Sequence, residues 1–505
     1  MQSFTGPKRP WFTAGALLAL AGAVGCGNQY RPVITPVRPT GPASEPTSYV
    51  VAFSQPNLTQ LATGATSPCP NTSATATPQP GVVTLIDFSG DTILAQAVVG
   101  PGPQTFALDP SGTSAYSANC DGTLSTAPIS QTLQSKNILT TTLPASPTTN
   151  AVTFPTNILV TGSGEYISEP HPQDLETPNQ SAVAALTNNT SGVPSVKQEI
   201  PVAPSLINTV GTATSQRIYA ISQGNSTNGA GVQWGQCDTP SSVPTFGEVD
   251  GIETSSLTVS SQIPVGTCPV YGLMTPDGRR TFILNRGTGT VSVIDSVKNQ
   301  LDLGSPSQFI NQKDGSISVG TGAGSGPVYA DFYAPSSLLV TANYDDDTIS
   351  IINVTINGAV QGFTDTPNFG QVLATVKVGH HPASVTILQD GSRAYVADEG
   401  DLGDGQNGNV TIVNLSSFTV EATLPVSGHP RSIASTYNAP IGKVYTIAQD
   451  SPYMTVIRTD TDVVSASILL QGNGVDLHTT TQYAGTSGTS ANAITQSRSV
   501  GSGAP

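Results

Sequence analysis

The chain has 505 residues, 10% of them charged, with a formal net charge of −15, 51 glycines and 40 prolines. One ordinary hydrophobic core does not support this length, which leaves several domains or a repeat array. The acidic balance argues against a nucleic-acid partner, because binding phosphates needs Lys and Arg to displace counterions.

The N-terminal segment has the pattern of an export signal. A positively charged start is followed by the apolar and small-residue run 11–24, which is too short to span a bilayer comfortably, and then by Cys26. This pattern resembles a bacterial lipoprotein signal. The resemblance implies that residues 1–25 are a signal peptide and that Cys26 is lipidated, so that the membrane is one partner. It also implies a cell-envelope protein held at the outer membrane, facing the periplasm or the cell surface. An ordinary secretory signal is the alternative.

Two further segments lie outside the expected folded part. Residues 26–48 contain repeated prolines, which favour an extended tether that cannot build a core. Residues 484–505 are mostly Ser, Thr, Gly and Ala, and they indicate a disordered tail. Residues 49–483, between these segments, carry the pattern that determines the fold.

A strand motif returns about every 50–60 residues, a period typical of solenoids and propellers. Eight copies of its second strand align, at 49–52, 116–119, 166–169, 219–222, 282–285, 340–343, 395–398 and 445–448. Glycine and proline turns before the first strand, and Asp-Gly turns after it, divide each unit into four strands. The sequence therefore predicts an all-β fold of four-stranded antiparallel blades, a β-propeller, with a β-solenoid as the structural rival.

Segments 290–295 and 395–398, with the turns around them, resemble the YVTN family of β-propeller repeats. The resemblance covers roughly residues 49–480 and is weakest over 147–204. Eight units are counted, although relatives often have seven blades, so both counts stay open. The first unit lacks its innermost strand, and we expect residues 474–483 to supply it. Such closure would remove the free sheet edges of the ring.

Four cysteines besides Cys26 lie in loops that map to one face of such a ring. Cys69 and Cys120 belong to adjacent units, as do Cys237 and Cys268. Of the three possible connectivities, the links Cys69–Cys120 and Cys237–Cys268 keep both bonds local. An exported protein resides where disulfides persist, so we expect both links, with free buried thiols as the alternative. A zinc site built from these cysteines is disfavoured because no Cys-x-x-Cys pair exists.

Three of the five histidines lie in turns between the fourth strand of one unit and the first strand of the next, each near a proline: His380, His381 and His429. Loops expected on the same face carry acidic residues: Asp345, Asp346, Asp347, Asp398, Glu399, Asp401 and Asp404. Imidazole and carboxylate groups can bind a divalent metal, which is the one cofactor these residues suggest. The alternative is that the acidic residues are solvated and that histidine before proline is an ordinary feature of these turns. The spacing of the last three aspartates does not match a known calcium loop.

The longest insertions fall in loops between second and third strands, where binding residues are often found. The sequence shows no nucleophile motif, and we assign no catalytic residue. We favour a lipid-anchored scaffold that binds an envelope protein or a small ligand through its loop face. Because similar propellers include lactonase-like hydrolases and metal- or quinone-dependent oxidoreductases, an enzyme is one alternative. A purely structural or adhesive envelope protein is the other.

Overall fold

Short strands separated by turn residues pair in chain order, so that antiparallel sheets form one after another along the chain. The computed structural model contains eight such sheets, seven with four strands and one with five. The structure describes residues 49–55, 80–144, 155–169, 181–188, 193–229, 231–232, 236–240, 243, 245–357, 365–401, 406–436 and 442–480. The propeller and the count of eight blades are confirmed, and the seven-bladed alternative is wrong.

In each blade the first strand named is the innermost one and the last is the outermost. Blade 1 consists of β33 (Asn473–Thr479), β1 (Tyr49–Gln55), β2 (Pro80–Asp87) and β3 (Thr92–Pro101). Blade 2 consists of β4 (Pro103–Leu108), β5 (Ser114–Asn119), β6 (Thr123–Pro128) and β7 (Leu139–Thr142). Blade 3 consists of β8 (Asn157–Thr161), β9 (Gly164–Glu169), β10 (Ser181–Asn188) and β11 (Pro194–Val202). Blade 4 consists of β12 (Leu206–Val210), β13 (Arg217–Ser222), β14 (Phe246–Glu253) and β15 (Thr258–Thr267).

Blade 5 differs from the others in having two short outer strands. It consists of β16 (Pro269–Met274), β17 (Arg280–Asn285), β18 (Thr290–Asp295), β19 (Gln300–Leu301) and β20 (Ser316–Ser318). Blade 6 consists of β21 (Pro327–Tyr333), β22 (Leu338–Asn343), β23 (Thr348–Asn353) and β24 (Gln371–Lys377). Blade 7 consists of β25 (Pro382–Ile387), β26 (Arg393–Asp398), β27 (Asn409–Asn414) and β28 (Thr419–Pro425). Blade 8 consists of β29 (Pro430–Ser435), β30 (Lys443–Ala448), β31 (Tyr453–Arg458) and β32 (Val463–Leu469).

The last strand of the described chain closes the ring. β33 pairs antiparallel with β1, and its neighbours among the innermost strands are β29 of blade 8 and β4 of blade 2. The Tyr49 N–H donates to Thr480 Oγ1 at 2.6 Å, and the Thr480 N–H donates to the Tyr49 carbonyl at 2.9 Å. The predicted C-terminal closing strand is therefore confirmed. A β-solenoid is excluded, because its two ends would not meet.

The hydrophobic core lies between the blades. Alternate side chains of a strand point to opposite sides of its sheet, and each side packs on a different neighbouring blade. Ile283 of β17 packs with Tyr219 and Ile221 of blade 4, whereas Phe282 of the same strand packs with Leu339 of blade 6. Both sides are buried, so the middle strands are continuously apolar. Each such side chain stabilises the fold by about 1.5–3 kcal/mol.

A buried polar side chain ends the second strand of several blades and explains part of the repeat. The asparagine amides donate to hydroxyls of the third strand: Asn119 to Thr123 (3.0 Å) and Ser125 (2.9 Å), Asn285 to Thr290 (3.2 Å) and Ser292 (2.9 Å), and Asn343 to Thr348 (3.0 Å) and Ser350 (3.0 Å). The same hydroxyls accept N–H groups from the segment entering the blade, Gly100 to Ser125 (3.0 Å) and Gly320 to Ser350 (2.8 Å). This network fixes the position of the loop face relative to the sheets.

The connections between consecutive strands lie on one or the other of two opposite faces of the ring. Loops between second and third strands share one face with the turns that lead from a fourth strand to the next blade. We call this face the loop face. Among the described residues, no helix is long and apolar enough to cross a membrane. The expected signal 1–25, tether 26–48 and tail 484–505 lie outside the described residues and stay predictions.

Candidate functional site

Five connections bring polar side chains together on the loop face of blades 6, 7 and 8. They are the loops after β22, β26 and β30, and the turns before β25 and β29. The side chains that meet there are called the histidine cluster: Asp347, His380, His381, Asp401, His429 and Asp450. Proline at the start of β25 and of β29 fixes the end of each turn, so His381 and His429 stand directly before an innermost strand and His380 one residue earlier.

The ring of His380 bridges two carboxylates from different blades. Its Nδ1 lies 2.7 Å from Asp347 Oδ1 of blade 6, and its Nε2 lies 2.9 Å from Asp401 Oδ1 of blade 7. Asp347 also accepts from Lys377 Nζ at 3.0 Å and from the His381 N–H at 2.9 Å. Burial alone would raise the pKa of Asp347, but these hydrogen bonds and the nearby His380 outweigh it and lower that pKa. Asp347 is therefore ionised at neutral pH.

His381 is held in a backbone conformation that disfavours most residues. Its φ is +53°, whereas the equivalent positions in blades 2 and 6 carry Gly102 and Gly326 with φ of +58° and +62°. A non-glycine residue in the left-handed region costs about 1–2 kcal/mol. In this conformation the imidazole stacks between Tyr344, at 4.4 Å, and His380, at 3.8 Å.

The ring stack continues to a buried arginine in blade 5. The guanidinium carbon of Arg286 lies 5.1 Å from the Tyr344 ring centre. Arg286 is fixed by two hydrogen bonds to Asp345, from Nε at 3.0 Å and from Nη2 at 2.8 Å. The Tyr344 hydroxyl donates to Glu399 Oε2 at 2.8 Å, and burial together with this carboxylate raises the tyrosine pKa. The stack therefore presents His381 on a rigid support.

His429 of the next turn holds the other side of the cluster. Its Nδ1 lies 2.5 Å from Asp450 Oδ2, and its backbone N–H donates to Asp450 Oδ1 at 2.9 Å. Its Nε2 lies 3.2 Å from the Asp401 carbonyl oxygen. Burial alone would lower the pKa of His429, but Asp450 outweighs it and the pKa is raised. His429 therefore positions the backbone of Asp401 from blade 8.

The predicted acidic candidates separate into different roles. Asp347 and Asp401 join the histidine cluster, whereas Asp345 pairs with Arg286 and Asp346 accepts from the Thr321 N–H at 2.7 Å. Asp404 lies outside the described residues.

Asp398 is predicted on a loop, but it is the last residue of β26 and is fully buried. It accepts from Thr411 Oγ1 at 2.5 Å, in the position that asparagine holds in other blades. Burial raises its pKa to about 8, although hydrogen bonds from Thr411 and Gly379 oppose that rise. Asp398 therefore occupies the place of the blade asparagines with the hydrogen bond reversed, because here the third-strand hydroxyl donates.

Three contributors are not among the predicted site residues. Arg286, Tyr344 and Asp450 each lie in a loop after a second strand, and they support the histidines from neighbouring blades. For one of them, Asp450, the position in the repeat unit could have indicated a role. Asp450 stands two residues after its second strand, as Asp345 does after β22. The ring stack has no signal in the sequence, because Arg286 and His381 are far apart along the chain.

One of the two expected disulfides is present among the described residues. Cys237 and Cys268 are bonded, with their Cα atoms 5.7 Å apart, and they are buried with Val232 and Val243. The bond joins the loop before β14 to the turn before β16, and so links blades 4 and 5. Cys69 and Cys26 lie outside the described residues, so the Cys69–Cys120 link and the lipidation of Cys26 stay predictions.

The chemistry available to the cluster is that of acceptors and metal ligands. The ring nitrogens of His380, His381 and His429 lie against carboxylate or carbonyl oxygens. Ligand atoms of His380, His381 and Asp401 lie within 4.8 Å of one another, so that a small movement of these side chains would let one metal ion contact all three.

Comparison with known proteins gives limited matches. A family model described as the Choice-of-anchor I domain matches residues 333–434, which run from the end of β21 to β29 and include His380, His381 and Asp401. None of the curated proteins compared with the chain matches it significantly.

Two solved structures are similar over most of the chain. The structure of AztD from Citrobacter koseri is 10% identical, with 86% of this chain and 97% of that chain covered and a TM-score of 0.49. A Bacteroides fragilis protein assigned as a 6-phosphogluconolactonase is 12% identical, with 87% and 99% covered and a TM-score of 0.47. Identities and TM-scores this low transfer neither a ligand nor an activity to this chain.

Proposed function

We propose that this chain is an exported β-propeller, tethered to the envelope by a lipid on Cys26, that binds a partner protein through the loop face of blades 6 to 8. The observation that carries the proposal is one contact network running across four blades. It begins at Arg286 of blade 5, continues through Tyr344, His381, His380 and Asp401, and ends at His429 of blade 8. Side chains held this way lose little conformational entropy when a partner binds.

Exposure favours a protein partner over a small ligand. The side chains of His380 and Asp401 are 45% and 60% exposed, whereas a small ligand is usually enclosed in a concave pocket. The Cys237–Cys268 disulfide supports export, because disulfides persist in oxidising compartments.

Site-specific photo-crosslinking in intact cells tests the binding face. A benzophenone residue replaces Lys377, whose side chain is 69% exposed beside Asp347, or Val297, which is 66% exposed on the opposite face. We expect a discrete protein adduct from position 377 only, and we expect His380→Ala to reduce it. No adduct at 377, or the same adduct at 297, would contradict the proposal.

Fractionation tests the tether separately. The wild-type protein is expected in the membrane fraction with an acylated N-terminal Cys26, and Cys26→Ser is expected to release it into a soluble fraction. Recovery of unprocessed protein with Met1 retained, in the cytoplasm, would refute export.

A further inference from the structure

We propose that His380, His381 and Asp401 form a binding site for a divalent transition-metal ion of the zinc type. The site lies on the same face as the proposed partner surface but does not depend on it. Three donors from two loops, two imidazoles and one carboxylate, have their ligand atoms within 4.8 Å of one another. This donor number is typical of zinc sites that keep an open coordination position.

The surroundings of His380 match those of a metal-bound histidine. Such a histidine commonly donates its second ring N–H to a carboxylate, which fixes the tautomer and the ring orientation. Here the carboxylate is that of Asp347, whose Oδ1 lies 2.7 Å from His380 Nδ1. His380 Nε2 lies 2.9 Å from Asp401 Oδ1. A cation between Nε2 and Oδ1 would satisfy both groups, so Asp347 is the positioning residue and His380 the ligand.

The other two ligands are also positioned by contacts outside the set. The His381 ring is stacked on Tyr344, and the His381 backbone N–H donates to Asp347 Oδ1. The Asp401 carbonyl is held by His429, whose other nitrogen is fixed by Asp450. Donors in a tetrahedral zinc site are about 3.4 Å apart. Ion binding therefore requires His380 Nε2 and Asp401 Oδ1, now 2.9 Å apart, to separate by roughly 0.5 Å, while any pair near the 4.8 Å limit closes by roughly 1 Å.

The donor types select the class of ion. Two imidazole nitrogens and one carboxylate suit zinc, copper, nickel or cobalt, whereas calcium and magnesium prefer oxygen donors throughout. His380 and Asp401 are exposed at 45% and 60%, so the open side of the ion would face solvent. A donor from water or from a second molecule could therefore complete the coordination.

Metal titration of the purified mature protein tests the site. Zn²⁺ is followed by calorimetry, and Co²⁺ is followed by its visible absorption, which reports the ligand geometry directly. We expect one ion per chain. We expect His380→Ala and Asp401→Asn each to weaken binding by more than about 100-fold, and Asp347→Asn to weaken it by about 10–100-fold.

Asp346→Asn is the matched control, because Asp346 lies in the same loop but contacts Thr321 and Thr348 instead of the cluster. It should leave the affinity unchanged, and unchanged melting temperatures would show that the variants are folded. Absence of saturable binding, or binding that His380→Ala does not weaken, would overturn the metal site. The crosslink from position 377 and the metal titration are independent measurements, so either proposal can fail alone.

Discussion

Replacing His381 by glycine and by alanine separates the cost of its backbone from the contribution of its ring. Both substitutions remove the imidazole and its stacking on Tyr344 and His380. Only glycine relieves the backbone at φ +53°, a conformation that costs other residues about 1–2 kcal/mol. Glycine also gives the unfolded chain about 0.5–1 kcal/mol more conformational freedom than alanine does. We therefore expect His381→Gly to be more stable than His381→Ala by about 0.5–1 kcal/mol.

Denaturant unfolding of the purified variants measures this difference, provided that the slopes agree. The same pair of substitutions at Thr375, which lies in the middle of β24, is the control. On that extended backbone glycine should be less stable than alanine by about 0.5–1 kcal/mol. If the glycine variant at 381 is also the less stable of its pair, the inference that the His381 backbone is strained is wrong. Both variants at 381 should lose metal binding, because each lacks the imidazole.

Three further predictions address the ring, a buried acid and the disulfide. Leu477 is fully buried in the closing strand, so Leu477→Ala should lower the free energy of unfolding by about 2–5 kcal/mol in chemical denaturation. Burial raises the pKa of Asp250 to about 7, so the folded protein keeps a proton that the unfolded chain releases near pH 4. The contribution of this carboxyl to stability therefore falls as the pH rises from about 4 to 7. Asp250→Asn, which can still accept the Ala203 N–H, should remove a slope of up to about 1.4 kcal/mol per pH unit, and parallel pH profiles would contradict this. The Cys237–Cys268 bond closes a sequence separation of 31 residues, so replacing both cysteines by alanine should cost about 3–4 kcal/mol, measured with and without reductant.

The fold could be predicted because its signals are local and repeated. Each second strand is followed by a loop, and each innermost strand is preceded by a turn, so the position of a residue in its unit already gives its face. This position alone puts His380, His381 and His429 on one face. The closing strand follows from the first unit, which lacks an innermost strand of its own, and β33 fills that place.

The contacts of the site could not be predicted in the same way. Asp345, Asp346 and Asp347 are consecutive, yet they point to Arg286, to Thr321 and to His380, respectively. Their directions depend on backbone angles, and Asp347 itself has a φ of +58°. A sequence that names three adjacent aspartates does not say which one turns toward the next blade.

The amino-acid sequence by itself determined the repeat, the strand order and the face on which each loop lies, because these depend on turn residues and on alternation within a few residues. Only the tertiary structure decided which side chains meet, because blades 5 to 8 contribute residues that are far apart in the chain. The ring stack from Arg286 to His380 and the bridge from Asp347 to Asp401 exist only once neighbouring blades have packed at a fixed angle. That packing is set by the apolar sides of the sheets and not by the polar residues that it brings together.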